Sequence, residues 1–382
     1  MAPEGHVPNA AHSLFPASSK AKTYTRTKLI AGFAASGLSF VLLLLLVKYG
    51  YTREIESVSR SLTDNDYLVL LIFAFFIGML EAVATLPLGY YSSYYIEHRY
   101  NLSTQSLGRW AWERLKGFLV TLPIASGLLL LLYFCLATYA DLWWLPVSIT
   151  IAVLSVVLAR FAPVVILPLF YKFRPIEEES LKDRILNLCS RARVHVDGIF
   201  TFNMSKNTKK VNAGFTGIGK SKRIILGDTL VREFSEEEIE TVFAHELGHY
   251  KHGHIVIGIL TGIISTFAGL FLVAHLYEWS LRLFGFTSLT EIAALPLLAL
   301  WLALFGLVTT PIGNMLSRRH EHQADAYAVQ QTGNRQAFIS ALQKLARTNL
   351  TDPEPHPLIE FLFHSHPSIA RRIRTIESLS VQ

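Results

Sequence analysis

The stretch SEEEIETVFAHELGHYKHGHIVIGIL, residues 235–260, decides how the rest of the chain is read. Ser235 followed by Glu238 is a capping-box signal, and Glu236, Glu237 and Glu238 suit the positive end of a helix dipole. No proline interrupts residues 236–260, and the pattern passes from polar to wholly apolar at Ile255. One helix is therefore expected to leave a water-exposed domain and enter a membrane. In its middle, His245-Glu246-Leu247-Gly248-His249 sets two histidines four residues apart on one helical face, where both imidazoles can bind one zinc ion. Glu246, beside them, can take a proton from a water that the metal activates and deliver it to a leaving amine.

Outward from this motif the chain reads as multi-pass. Its 382 residues are 51% hydrophobic and 17% charged, too apolar for an ordinary soluble protein. Windows of about 19 residues mark six spans, near 29–50, 67–93, 116–138, 143–170, 255–277 and 292–316. The polar segment ahead of the first span carries Lys20, Lys22 and Arg26, and the apolar stretch after it is too long for a cleavable signal. Residues 1–28 are therefore expected to form a mobile tail before a retained helix. The net charge of +6 is spread over short segments without a nucleic-acid-reading motif, which argues against nucleic acid as a partner. Cys135 and Cys189, the two cysteines, support neither a disulfide framework nor a cysteine metal site.

Two spans separate the polar segments 172–254 and 317–382, so both lie on one side and can form one domain. Basic loops stay cytoplasmic. Lys20, Lys22, Arg26 and Lys28 precede the first span, and Arg99, Arg109, Arg114 and Lys116 follow the second. The opposite loops are poor in net positive charge: Arg53 and Arg60 are offset by Glu54, Glu56 and Asp64, 139–142 has no basic residue, and 278–291 has only Arg282. Both termini and both polar segments are expected on the cytoplasmic side.

A catalytic zinc needs a third protein ligand, and the segment Ser317-Arg318-Arg319-His320-Glu321-His322-Gln323-Ala324-Asp325 comes directly after the sixth span. Glu321 and Asp325 share a helical face. Glu321 is the candidate third ligand and Asp325 a carboxylate that orients a ligating histidine. Between these elements, 177–192 has helical character, whereas 198–204, 211–217 and 223–226 look like short strands. The expected fold is an α-helical multi-pass membrane protein of about six spans with a small α+β cytoplasmic zinc-metalloprotease domain. It divides into the tail 1–28, a four-span N-terminal domain 29–171, and a metalloprotease domain 172–382 containing spans 255–277 and 292–316.

These motifs resemble the type-1 CAAX prenyl proteases, membrane zinc metallopeptidases whose H-E-x-x-H is completed by a Glu on a later helix. The resemblance includes Asn212-Ala213-Gly214-Phe215 with Gly219-Lys220, the segment Arg223-Ile224-Ile225-Leu226-Gly227-Asp228-Thr229-Leu230, residues 168–175, Ile96-Glu97 with Gln105, and His366-Pro367 with Arg372. It implies that Asn212, Ala213, Gly214 and Phe215 form an edge strand that pairs with an extended peptide, that His366 donates to the developing oxyanion, and that Arg372 braces the acidic groups around one zinc ion per chain. The catalytic set is then Glu246, His366, Asp325 and Arg372, with His245, His249 and Glu321 on the metal. The chain departs from the family pattern at Tyr171, His98, Asn101 and Ser103, and six spans are counted where eukaryotic members have seven.

At 1.5 Å per residue, the six residues from His249 to Ile255 put the metal about 9 Å from the apolar stretch. Chemistry that close to a bilayer suits peptide or protein substrates that are lipidated or membrane-associated, with membrane lipids as neighbours. The natural membrane would be the endoplasmic reticulum in a eukaryote and the inner membrane in a bacterium. His252 and His254 are expected to turn away from the metal as interfacial polar residues, and Glu81 and Arg160 to pair or line a wet cavity. Two other readings share part of the pattern. An HtpX-like quality-control protease shares the zinc motifs; a transporter with a structural zinc site shares the spans but gives no reason for Glu246.

Overall fold

A computed structural model describes residues 18–216 and 223–379. Among them six helices are long and apolar enough to cross a membrane, as expected. The N-terminal half contains α1 (Ser18–Lys48), a short α2 (Tyr51–Arg60), α3 (Asp66–Tyr90), α4 (Leu107–Tyr139) and α5 (Trp144–Phe161). A π-turn at Tyr91–Tyr95 carries α3 on to Arg99, and another at Ala162–Ile166 carries α5 on to Phe170.

Two differences from the sequence expectation have local causes. Helix α1 begins at Ser18, so residues 18–28 are helical rather than tail, while 1–17 lie outside the described residues. Contacts hold that first part: the Tyr24 hydroxyl donates to Glu97 at 2.7 Å, and the Lys28 ammonium donates to the same carboxylate at 2.9 Å. Helix α2 occupies what read as a loop. Gly50, at φ +78°, ends α1 in a conformation suited to glycine, and α2 then links to the next pair of spans. Arg53 donates to the Gly285 carbonyl at 2.6 Å, and Glu56 accepts from the Ala293 N–H at 2.9 Å.

The polar domain opens with β1 (Phe173–Pro175), α6 (Glu179–Arg191), β2 (Gly198–Phe202), β3 (Ala213–Thr216), β4 (Arg223–Gly227) and α7 (Asp228–Glu233). In α6, Leu181, Ile185, Leu188 and Cys189 keep the i, i+4, i+7, i+8 pattern of a buried stripe, and all four are buried. The strand order is β1-β2-β4-β3. Parallel pairing of β2 with β4 and antiparallel pairing of β3 with β4 leave β3 on the edge. Asn212 sits one residue before β3, so the strand is shorter than the expected 212–215 start. Gly219 and Lys220, part of the family resemblance, lie outside the described residues.

Residues 235–260 fold into two helices rather than one. Helix α8 (Glu236–Lys251) ends, Gly253 takes φ +68°, and α9 (His254–Leu283) begins. Helix α10 (Leu295–Thr332) needs no such break and carries the sixth span directly into the polar domain. The chain closes with α11 (Arg335–Thr348), α12 (Pro357–Phe363) and α13 (Ile369–Ser378). Ile239, Phe243 and Leu247 of α8 pack with Ile224 and Leu226 of β4, Phe338 and Leu342 of α11 and Ile373 of α13 into one core. By contrast Val256, Leu260 and Ile264 of α9 and Leu307 and Val308 of α10 are exposed. Apolar side chains left uncovered over a span match what contact with lipid requires.

The capping box is present and extends to a neighbour. Glu238 accepts from the Ser235 N–H at 2.9 Å, from the Ser340 hydroxyl at 2.6 Å and from the Lys344 ammonium at 2.6 Å, tying α8 to α11. Burial works to raise the Glu238 pKa, but the hydrogen bonds from Lys344, Ser340 and Ser235 outweigh it and the net shift is downward. A folded value below the unfolded one stabilises the fold above the ordinary value of 4.5, and this contribution is lost as pH falls through the folded value. Glu238→Gln is expected to lower unfolding stability in detergent by about 1–3 kcal/mol at pH 7. In melts taken from pH 7 to pH 3, the gap between wild type and variant should shrink below pH 4.5; a gap that does not change with pH would contradict the assignment.

Candidate metal centre

Helices α8 and α10 meet at Gly248. A Cβ on this residue would lie 3.0 Å from Ala324 Cα and 3.2 Å from the Ala324 carbonyl oxygen, so glycine is what lets the two backbones come together. One turn before Ala324, Glu321 thereby faces both histidines of α8. His245 Nε2 is 3.1 Å from His249 Nε2 and 3.5 Å from Glu321 Oε2, and His249 Nε2 is 3.2 Å from Glu321 Oε1. One ligand atom from each of the three lies within 4.8 Å of the others.

This donor set fits a divalent cation. Glu321 Oε2 is buried and, among the described residues, has no hydrogen-bond partner, an orphan that a metal would satisfy. Two imidazoles and one carboxylate are the donors of a catalytic zinc site. Burial and the Arg372 charge oppose protonation of His245, yet the Asp325 and Glu321 carboxylates outweigh them and lift its pKa to about 9. A metal entering the site displaces that proton, so its affinity falls on acidification.

The surrounding contacts set which nitrogen faces the centre. His245 Nδ1 lies 2.8 Å from Asp325 Oδ1, which accepts its proton and turns Nε2 inward. Arg372 is buried and holds Asp325 through two hydrogen bonds, at 2.9 and 2.6 Å, with one guanidinium nitrogen 3.5 Å from Glu321. His249 is oriented by a residue expected to point elsewhere. The break at Gly253 starts α9 in a new direction and brings His254 Nδ1 to 3.0 Å from His249 Nδ1. On the far side of the ring, His254 Nε2 is 2.9 Å from Gln323 Oε1. Donation to that amide oxygen leaves His254 Nδ1 as an acceptor, which protonates His249 at Nδ1 and frees its Nε2. An unbroken helix would have carried His254 away, as its i+5 position implies.

Glu246, His366, Asn212 and Ala213 line one cavity of about 580 Å³ together with His245 and Arg372. His366 Nε2 is 3.5 Å from Glu321 Oε1, and its Nδ1 is 2.9 Å from the Ser365 hydroxyl. Donation by that hydroxyl leaves Nε2–H pointing at the centre. Two residues missed in the sequence hold His366 there. Arg318 donates to the carbonyls of Glu360 and His364 at 3.0 and 2.7 Å, and Asn314 donates to that of Leu362 at 2.9 Å. Both lie on α10, in the residues before Glu321, and no local pattern marks them. Of the expected edge residues, Asn212 and Ala213 face the cavity, whereas the Phe215 ring packs 5.0 Å from that of Tyr250 on α8. Glu81, in α3, accepts from Ser39 of α1 at 2.7 Å, and the Arg160 guanidinium lies 5.9 Å from the Phe161 ring.

Comparison with known proteins gives concordant matches. Residues 175–380 match the model of peptidase family M48, and residues 4–172 match that of the CAAX prenyl protease N-terminal segment, described as five membrane helices. Four of the six span-length helices lie in that second region among the described residues. The chain is 32% identical to the uncharacterized metalloprotease YhfN of Bacillus subtilis over 94% of its own length and 84% of the relative's. It is 31% identical to CAAX prenyl protease 1 of Saccharomyces cerevisiae, covering 80% of this chain and 72% of that one. The crystal structure of S. mikatae Ste24p superposes with a TM-score of 0.84 at 27% identity, covering 94% of this chain and 88% of that one.

The His249–His254–Gln323 chain of contacts makes a prediction. His254→Ala is expected to weaken zinc affinity roughly 10- to 100-fold, measured by competition with a chelator. His252→Ala should leave it unchanged. Equal effects of the two substitutions would show that His254 does not orient a ligand.

Proposed function

The chain belongs to peptidase family M48, and from that premise we propose that it removes the C-terminal tripeptide of prenylated CAAX proteins at a membrane surface. It is a multi-pass membrane metalloprotease of the CAAX protease type. The observation that carries the substrate and site reading is the cluster of His245, His249 and Glu321, with His245, Glu246 and His366 lining one cavity that also takes in Asn212 and Ala213 at the edge of β3.

One zinc ion per chain, held by His245, His249 and Glu321, supplies Lewis acidity to the reacting water and carbonyl when bound. The chain's own groups do the rest. Substrate backbone pairs with the edge that starts at Asn212 and runs through Ala213, Gly214 and Phe215, which holds the scissile peptide in the cavity. As water adds to the carbonyl carbon, Glu246 takes its proton and passes it to the amide nitrogen as the C–N bond breaks. His366 Nε2–H donates to the carbonyl oxygen as negative charge develops there. Asp325 keeps His245 in the tautomer that faces the centre, and Arg372 fixes Asp325 while balancing the charge of Glu321. The basic residues of the N-terminal segment and of the loop after α3 support a cytoplasmic catalytic side, in the endoplasmic reticulum membrane of a eukaryote or the inner membrane of a bacterium.

The match of residues 4–172 to the CAAX prenyl protease N-terminal segment supports this substrate class over HtpX-like quality control. A transporter with a structural zinc site leaves Glu246 and His366 without a role. The test is cleavage of a short CAAX peptide, with and without a farnesyl group, by wild type and by Glu246→Gln, with zinc measured in both. Wild type should prefer the farnesylated peptide, and the variant should keep zinc and lose roughly 100-fold or more in kcat. Absence of cleavage of either peptide by zinc-loaded wild type would overturn the reading.

A further inference from the structure

The cavity at the metal centre does not end there. It continues to Tyr24, Thr25 and Lys28 on α1, the helix farthest from α8 in sequence. The strand edge, the charge and the geometry at that end together bear on which part of a substrate it receives.

Among the described residues the outer edge of β3 is unpaired, and it stops at Val211. The Asn349 side chain accepts from the Val211 N–H at 2.9 Å and donates to its carbonyl at 3.2 Å, occupying the positions an added strand would use. A peptide paired with Ala213 must therefore leave the sheet beside Asn212, toward α1. Antiparallel addition is the commoner pairing, and it directs the residues after the scissile bond toward that end. Two ammonium groups stand there. Lys28 donates to the Ser92 carbonyl and to Glu97, both at 2.9 Å, while Lys210 lies 3.0 Å from Glu97 and donates to the Tyr24 hydroxyl at 2.8 Å. The lining also holds Asp352, whose carboxylate accepts from the Glu354 N–H at 3.1 Å. The geometry also suits a chain end. An ammonium has three donors, and the bonds of Lys28 to Ser92 and Glu97 use two.

We infer that Lys28 binds the α-carboxylate at the C-terminus of the substrate, so that the enzyme reads a free chain end. The inference rests on the proposed CAAX-type activity, in which the leaving tripeptide carries that carboxylate. A neutral chain end would offer the remaining Lys28 donor no charged partner.

The test uses the full chain, zinc-loaded, and two farnesylated CAAX peptides that differ only in ending as a free acid or as an amide. In wild type the acid should exceed the amide in kcat/KM by roughly 10- to 100-fold, the range of a charge-assisted hydrogen bond. Lys28→Met should bring the acid-to-amide ratio close to one, and Lys28→Arg should preserve most of it. A wild-type ratio near one, or a ratio that Lys28→Met leaves unchanged, overturns the inference. Should Lys28→Met fail to bind zinc, the wild-type ratio and its retention in Lys28→Arg decide. If zinc-loaded wild type cleaves neither peptide, the CAAX-type reading itself fails and takes the inference with it, an outcome distinct from cleavage without preference.

Discussion

The metal centre depends on how closely α8 approaches α10. A hydrogen at the Gly248 side-chain position lets the Ala324 backbone lie against α8, and a methyl group would meet it at 3.0 Å. That contact sets the positions of Glu321, one turn earlier on α10, and of Asp325, one residue later. The first faces His245 and His249; the second reaches behind His245 to its Nδ1. Arg372 then ties α13 to the same pair of helices through Asp325. Buried charges of both signs stand here only because each is paired, the condition under which a low-dielectric interior tolerates them.

A second constraint is where the chain enters the membrane. Helix α10 passes from the span into the polar domain without a break, so Glu321 sits on an element anchored in the bilayer. Helix α8 instead ends, and α9 restarts at Gly253. The break separates the orientation of the zinc-motif helix from that of its span and turns His254 back onto His249. Arg318 and Asn314, on the membrane side of Glu321, hold the segment that presents His366. The site is thus assembled between α8, a helix of the polar domain, and the continuation of the sixth span in α10, within a few residues of both spans.

Much of this was legible in the residues. The H-E-x-x-H spacing, the capping box at Ser235 and Glu238, and the Glu321–Asp325 pair are local patterns, and local patterns survive folding. The six spans were likewise set by length and hydropathy. Features that arise from long-range contact were not legible. Helix α2 reads as a charged loop because its partners, Gly285 and Ala293, lie more than two hundred residues away. The extension of α1 to Ser18 depends on Glu97 in the same way. The role of His254 was misread because Gly253 looked compatible with one continuous helix; glycine at a positive φ is a signal that only its neighbours can interpret. Glycine at 248, inside the motif, carried no warning that it marks a helix crossing.

X-ray absorption at the zinc edge of the purified full-length protein tests the central claim most directly. The account predicts one zinc per chain with a first shell of two imidazole nitrogens and oxygen ligands at about 2.0–2.1 Å, and no sulfur. A shell containing sulfur at about 2.3 Å would place the metal at Cys135 or Cys189 instead, and a shell without imidazole would remove His245 and His249 from the centre.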